Sequence, residues 1–489
     1  MAEAAPGPGL VIVDRERGTS AYSPMLFGHF IEHFDTQVHG GVVWPGSPFS
    51  DERGFRMDVI EALKELGAPV MRWPGGNFVS DHHWSDAVGP ERSATFNMAW
   101  QVPEPNTFGT DEFIAWCREV GCEPYICTNG GNGTAQEMSD WVEYCNGALP
   151  TRNAERRRAN GHEAPHGVRH WGIGNESYGD WQIGAKSAEE WGRYVAEAAK
   201  MMRRVDPSIV LSAAAVPDAD WTLNLLRTAG RYLDLVSIHE YWDPLWQEDR
   251  PKDYRAVIQQ CGGPARTIEA TRQVLGVAGV LGRIGVAFDE WNLRGWHRPD
   301  GNSPEALAAR RRNDIAETYT MADAVFSAGF LNDCLRNADL VRMANISPSV
   351  NTRGPLFVHE GGVVRRTTFH VMGMYRTLLL PRLCDAFVRS PLIGEVPALD
   401  AVATAEGAAG PLSLMLVNRE ADREVEVTLK VDGAWPDGAF PARVLAGDSP
   451  EAFNSIGDPD RVAPQDVMLD LREGRVRLPP HSVVSLRLG

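Results

Sequence analysis

His170-Trp171-Gly172-Ile173-Gly174-Asn175-Glu176 is a short apolar run that stops at a carboxylate, and Val286-Ala287-Phe288-Asp289-Glu290-Trp291-Asn292 repeats the arrangement further along the chain. A buried barrel strand reads this way when its last residue emerges at the C-terminal mouth. A lone glutamate at a strand end is more often a helix cap or a surface charge. Two of them, on strands of one regular series, predict a paired-carboxylate site.

Around these two runs the order strand, loop, helix recurs from Pro24 onward, the mark of parallel βα units. Candidate barrel strands are Met25 to Phe30, Pro69 to Trp73, Glu123 to Thr128, Val168 to Gly174, Ile209 to Ala214, Leu233 to His239, Arg283 to Asp289 and Leu340 to Asn345. Helical periodicity covers Phe55 to Leu66, Thr110 to Val120, Ala135 to Tyr144, Ala188 to Val205 and Pro304 to Ala328, with Phe369 to Leu380 as the last helix before Pro381. Eight such strands close a barrel. Beyond it Leu412 to Val417, Val425 to Val431 and Val483 to Leu488 alternate with period two between turns. The expected fold is therefore α/β: a (β/α)8 TIM barrel with a C-terminal antiparallel β-sandwich, jelly-roll-like, completed by the N-terminal strand Leu10 to Val13. The expected division is residues 1–20 for that strand, 21–380 for the barrel and 381–489 for the sandwich.

The chain has 489 residues and a formal net charge of -17, so no nucleic acid and no anionic membrane surface is expected as a partner, since both need clustered positive charge. The one basic cluster, Arg152 to Arg158, reads as a solvated polar loop. Seven cysteines without a CxxC pair, several in apolar runs, read as reduced and buried. The start has no basic region followed by an apolar core, and no run approaches a membrane span, which gives a cytoplasmic expectation.

Barrel chemistry collects at the C-terminal strand ends. The first carries Gly28-His29-Phe30-Ile31-Glu32-His33, the second Arg72-Trp73-Pro74-Gly75-Gly76-Asn77 and the sixth His239-Glu240-Tyr241-Trp242. Glu32 and Asn77 suit ring hydroxyls, Asn175 suits another, and a Trp or Tyr suits the apolar ring face. Arg72 stands where charge pairing holds a carboxylate ionised, or serves as a structural ion pair. Trp73 to Gly76 also reads as a plain turn, and Trp100 as core. Glycosidic cleavage asks for such a carboxyl pair, one group protonating the leaving oxygen while the other, ionised, attacks the anomeric carbon.

His29, His33, His39, His82 and His83 are residue types found in metallohydrolase barrels. No HxH ends the first strand and no aspartate ends the eighth, so no metal is expected. Gly130-Gly131-Asn132-Gly133 lacks the lysine and spacing of a phosphate loop and reads as cleft lining.

Together, Gly28 to His33, Leu66-Gly67 with Arg72 to Phe78, Glu104-Pro105-Asn106 with Phe108 to Phe113, Asp140 to Asn146, Trp171 to Glu176 and Asp289 to Asn292 resemble the α-L-arabinofuranosidases of glycoside hydrolase family 51. The motifs occur in the family's order and span nearly the whole barrel. The resemblance implies a retaining hydrolase that releases terminal non-reducing α-L-arabinofuranosyl residues from arabinose-containing oligosaccharides. It implies Glu176 as acid/base, its pKa raised before reaction, and Glu290 as nucleophile. It places Glu32, Arg72, Asn77 and Asn175 on the furanose, with His239, Tyr241, Trp100 and Trp296 at the same pocket. It further implies an intracellular homo-oligomer, often a hexamer, needing no cofactor. Three departures from the pattern, Glu240 to Asp243, the Arg294-Gly295 insertion before Trp296, and Ser347 to Asn351 where relatives usually offer a Gln, keep two alternatives in view. One is a retaining glycosidase of the same clan acting on another furanoside (β-D-galactofuranoside) or on a xylan or glucan chain. The other is a sugar-binding protein without turnover, against which both glutamates argue.

Overall fold

The computed structural model describes residues 8–17, 20–243, 252–295 and 319–489. Eight parallel strands among them close into a barrel: β1 (Gly28–Phe30), β2 (Val70–Trp73), β3 (Glu123–Thr128), β4 (His170–Ile173), β5 (Val210–Ala214), β6 (Leu235–Asp243), β7 (Gly285–Arg294) and β8 (Val341–Ile346). Their near-continuous apolar composition follows from burial on both faces, by the barrel lumen inside and the helical ring outside. Val70, Tyr125, Leu235, Ala287 and Met343, from five of these strands, pack against one another in one cluster. The register places His239 beside Glu290 and Tyr241 beside Asn292 across β6 and β7, and Arg72 beside Tyr125 across β2 and β3. Residues far apart in sequence thus reach one rim.

Helix boundaries follow local chemistry. Ser187 and Glu190 form a reciprocal capping box before Ala188–Val205, and Thr134 caps Ala135–Asn146 through the Glu137 amide. Gly67, at φ 64, closes Met57–Leu66 in the left-handed conformation that glycine adopts without penalty. The expected helix Pro304 to Ala328 falls partly on residues outside the described ones; its described portion lies in the helix Met321–Arg336.

One reading of the sequence is corrected. The basic stretch is no solvated loop but a helix, Arg152–Ala159, in which Arg157 is fully buried and donates to the carbonyls of Tyr144, Gly147 and His162 at 2.8, 2.9 and 3.1 Å. An arginine that replaces water with carbonyls can occupy an interior position, which charge counting alone does not reveal. Trp242, at the sixth strand end, packs its largely buried ring against Phe288, Phe326 and Phe330. All seven cysteines are buried free thiols, as expected.

The C-terminal strands form one largely antiparallel sheet. The N-terminal strand Gly9–Asp14 enters its middle, antiparallel to Arg382–Arg389 and parallel to Val425–Val431. Val11, Leu414, Leu471, Leu478 and Val484, from the middle and both arms of the strand path, meet in a single apolar cluster, so the sheet folds over on itself around that core.

Candidate functional site

At the end of β4 the backbone turns sharply, with Gly174 at φ 68 and Glu176 at φ 44. A Cβ on Gly174 would lie 2.3 Å from the Trp191 ring, so only glycine fits there. A non-glycine residue held at positive φ is a local strain that surrounding packing must sustain, and such positions collect at functional sites. The turn aims the Glu176 carboxylate across the mouth at Glu290 on β7, and an oxygen of each lies within 4.8 Å of the other.

Glu290 is held at both oxygens. Arg72, fully buried on β2, donates from Nη1 to Oε1 at 2.6 Å, and Tyr241 on β6 donates to Oε2 at 2.7 Å. Arg72 also donates from Nη2 to Asn175 Oδ1 at 2.7 Å and lies 3.4 Å from Asp289. The guanidinium therefore joins three strand ends. Asn175 Nδ2, buried, has no hydrogen-bond partner in the protein and is an available donor.

His239 sits between the acids. Nδ1 is 3.1 Å from Glu176 Oε1 and 3.6 Å from Glu290 Oε1, while Nε2 is 3.3 Å from Asp289 Oδ1. Burial disfavours the imidazolium, yet the carboxylates of Glu290, Asp289 and Glu176 outweigh it and push the His239 pKa up to about 10. Asp289 is driven the other way, to about 2: burial opposes ionisation, but Arg72, His239 and Ser237 stabilise the anion. Ser237 and Tyr125 donate to its two oxygens at 2.6 and 2.7 Å.

The raised pKa expected for Glu176 is not what the resting site holds. Burial raises it, but His239, Trp181 and Gln182 outweigh burial and keep the group below its ordinary value. The proton of the pair rests on the imidazole. Acid and base titrate here as a coupled unit, so loss of that proton is a property of the pair.

Glu32 lies on the far side of Arg72. Its Oε1 accepts from the Phe78 amide at 2.9 Å and from Trp100 Nε1 at 2.8 Å. Burial and the charge of Glu290 push its pKa up to about 7. Gly76 is required by this approach, because a Cβ there would lie 2.5 Å from Glu32 Oε1. Trp100 is partly buried, its ring 3.9 Å from that of Phe34, and it belongs to the pocket wall through its indole N–H rather than to the core. Asn77 accepts from Gln182 Nε2. Glu32, Arg72, Asn77, Asn175, Glu176, His239, Tyr241, Glu290 and Trp100 thus line one mouth; Trp296 lies outside the described residues.

Sequence reasoning missed Trp181 and Gln182, which follow Glu176 in the loop after β4. Trp181, 60% exposed, donates to Glu176 Oε2 at 3.0 Å, and Gln182 reaches the same oxygen at 3.4 Å. An aromatic five residues beyond a strand-end glutamate was the available signal. Ser347, read from the sequence only as part of a departure from the family pattern, belongs to the site: its hydroxyl lies 2.8 Å from that of Tyr241. The other departures are absorbed by packing. Glu240 accepts from Thr267, Asp243 is buried against Arg294 at 2.5 Å, and Ser349 Oγ accepts from the Phe30 amide at 3.0 Å. In the Gly130 loop, Asn129 Oδ1 accepts from the Gly131 and Gly133 amides at 3.0 and 3.1 Å, so those N–H groups are not presented as an anion cradle.

The geometry finds its counterpart among known proteins. Residues 62–258 match the family "Alpha-L-arabinofuranosidase 1 domain", and residues 289–482 match "Alpha-L-arabinofuranosidase C-terminal domain". The chain is 34% identical to a probable α-L-arabinofuranosidase C of Aspergillus terreus, over 96% of this chain and 95% of that one. It is equally 34% identical to an exo-α-(1→6)-L-arabinofuranosidase of Bifidobacterium longum, with the same coverage of both. The solved structure of the thermostable GH51 α-L-arabinofuranosidase from Thermotoga petrophila superposes with a TM-score of 0.89 at 32% identity, covering 98% of this chain and all of that one. With its closed barrel, its facing glutamates and this full-length likeness, the chain belongs to the α-L-arabinofuranosidases of glycoside hydrolase family 51.

Proposed function

We propose that this hydrolase releases terminal non-reducing α-L-arabinofuranosyl residues from arabinose-containing oligosaccharides by double displacement, with Glu290 as nucleophile and Glu176 as acid/base. The observation that carries the reading is the approach of the two carboxylates to within 4.8 Å. Retention requires carboxyl groups about 5 to 5.5 Å apart, whereas inversion leaves room for a water at about 6.5 to 9.5 Å. In the first step the ionised Glu290 bonds the anomeric carbon and the bond to the leaving oxygen breaks. The proton that rests on His239 passes through Glu176 to that oxygen. In the second step Glu176 takes a proton from water, whose oxygen displaces Glu290.

Arg72 and Tyr241 fix the oxygens of Glu290 for attack. Asn175 Nδ2, which has no partner in the protein, supplies a donor to a sugar hydroxyl. Glu32 Oε2 and Asn77 take further hydroxyls, and Trp100 forms part of the pocket wall. The relative named for the (1→6) linkage supports an exo mode of attack. Residues 1–20, 21–380 and 381–489 act as N-terminal strand, catalytic barrel and accessory sandwich. The enzyme works in the cytoplasm as a homo-oligomer, a hexamer by likeness to the family, without cofactor, nucleic acid or membrane; among the described residues no helix is long and apolar enough to cross one.

Hydrolysis of nitrophenyl α-L-arabinofuranoside, β-D-galactofuranoside and β-D-xylopyranoside by the wild type and Glu290→Ala tests the proposal. The arabinofuranoside should be cleaved best, with retained anomeric configuration, and the variant should lose several orders of magnitude in rate. Preference for either of the other sugars, or an inverted product, would refute it.

A further inference from the structure

Away from the catalytic mouth, Asp111, His162 and His166 converge on one point. Asp111 stands in the first turn of the helix Thr110–Val120, and both histidines lie in the segment that links the helix Arg152–Ala159 to β4. His166 Nε2 is 2.8 Å and His162 Nε2 is 3.6 Å from the same oxygen, Asp111 Oδ1, and one donor atom of each residue lies within 4.8 Å of the others. The imidazole rings are 4.9 Å apart and tilted by 54°.

We propose that this triad is a binding site for a divalent transition metal of the zinc type, outside the glycosidase mouth. Two imidazole nitrogens and one carboxylate oxygen are a recurrent protein donor set for zinc, with bonds of about 2.0 to 2.2 Å. Tetrahedral bonds of that length set neighbouring donor atoms about 3.3 Å apart. The two separations to Asp111 Oδ1 bracket that value, so small side-chain adjustments would complete the coordination.

A second observation points the same way. Asp111 Oδ2 accepts from the Tyr144 hydroxyl at 2.7 Å, and Tyr144 is in turn held by Asn160 Nδ2 at 3.0 Å. The carboxylate is thereby locked with Oδ1 turned toward the histidines, the outer-layer support typical of metal-binding side chains. His166 is almost fully buried, whereas the His162 side chain is 35% exposed. The fourth coordination position therefore opens on the His162 side, where water can reach it. A metal held here would fasten the segment before β4 to the helix before β3, and would leave the chemistry untouched.

The test is zinc content after equilibrium dialysis against micromolar zinc chloride, for the wild type and for His162→Ala, His166→Ala and His239→Ala, together with thermal unfolding with and without zinc. Tight binding near one zinc per chain is expected in the wild type and in His239→Ala, and its loss in His162→Ala and His166→Ala. Ligand linkage should raise the wild-type Tm with zinc and leave that of His162→Ala unmoved. His162→Ala removes a partly exposed ring and keeps the test open should His166→Ala fold poorly. Cobalt(II) should give the intense visible absorption of a tetrahedral site in the wild type and in His239→Ala, and not in His162→Ala or His166→Ala. No tight zinc in the wild type, or zinc retained by His162→Ala, would overturn the assignment; zinc lost only in His239→Ala would place the metal at the catalytic mouth instead.

Discussion

His239 Nδ1 lies 3.1 Å from Glu176 Oε1, so the residue assigned to protonate the leaving group faces an imidazolium rather than apolar walls. The active form of the pair is the one that retains its shared proton, and its loss governs the alkaline limb of kcat/KM. With His239 near 10 the wild type should stay active into mildly alkaline solution. Asparagine in its place removes the proton's high-affinity seat. In His239→Asn the alkaline limb should move to lower pH, read from a kcat/KM profile on nitrophenyl α-L-arabinofuranoside; an unmoved limb would mean that His239 acts only by packing.

The same shift bears on stability. A folded pKa near 10 against an unfolded one of 6.5 means that the charge of His239 contributes fully below 6.5 and is lost as pH rises through 10. Urea unfolding of the wild type should therefore show declining stability from pH 7 to pH 10, and His239→Asn should decline less steeply over that window.

Tyr241→Phe removes one donor from Glu290 Oε2 and leaves the Arg72 bond in place. A lost hydrogen bond to a charged group is worth about 1.5–3 kcal/mol, or roughly a 10- to 150-fold loss in kcat/KM. Steady-state kinetics on a nitrophenyl furanoside will measure it, and a loss below twofold would show that Arg72 alone orients Glu290.

Trp100→Phe keeps an aromatic ring, smaller than the indole, and deletes the N–H that stabilises the Glu32 carboxylate at 2.8 Å. Because that bond lowers a pKa already at about 7, its removal should raise it further and protonate more of Glu32 at neutral pH. KM at pH 7 should rise while KM at pH 9 changes less; equal changes at both values would exclude titration of Glu32 as the cause.

Arg157→Ala tests the buried guanidinium in the helix Arg152–Ala159. Four carbonyls, those of Tyr144, Gly147, His162 and Glu163, lose their donor, at a cost of about 2–4 kcal/mol, while the catalytic mouth is untouched. Thermal unfolding should show a lower Tm, and kcat/KM measured well below it should match the wild type.

The strand ends were readable because each is a brief apolar run of fixed direction, so a polar residue at its C-terminal end must emerge at the mouth. Glu176 and Glu290 could be located that way, as could Glu32 and Arg72. What periodicity could not convey is where an irregular loop folds back. Trp181 and Gln182 reach Glu176 only because the chain reverses after the positive-φ residue, and Ser347 meets Tyr241 only because β6 and β8 flank β7 at one rim. Arg157 was misread for a related reason. A sequence shows a charge but not the four carbonyls that make its burial possible.

The strand Gly9–Asp14 lies between Arg382–Arg389 and Val425–Val431, and this has a consequence in time. Its first partner leaves the ribosome about 370 residues after it does, an interval of roughly 20 to 75 s at 5 to 20 residues per second. Throughout that interval Val11 and Val13 have no sheet to join, while the barrel between them and their partners can already be assembling. Capture of the first strand therefore waits until the C-terminal strands have begun to emerge, and a cargo fused ahead of Gly9 would have to be carried to that meeting.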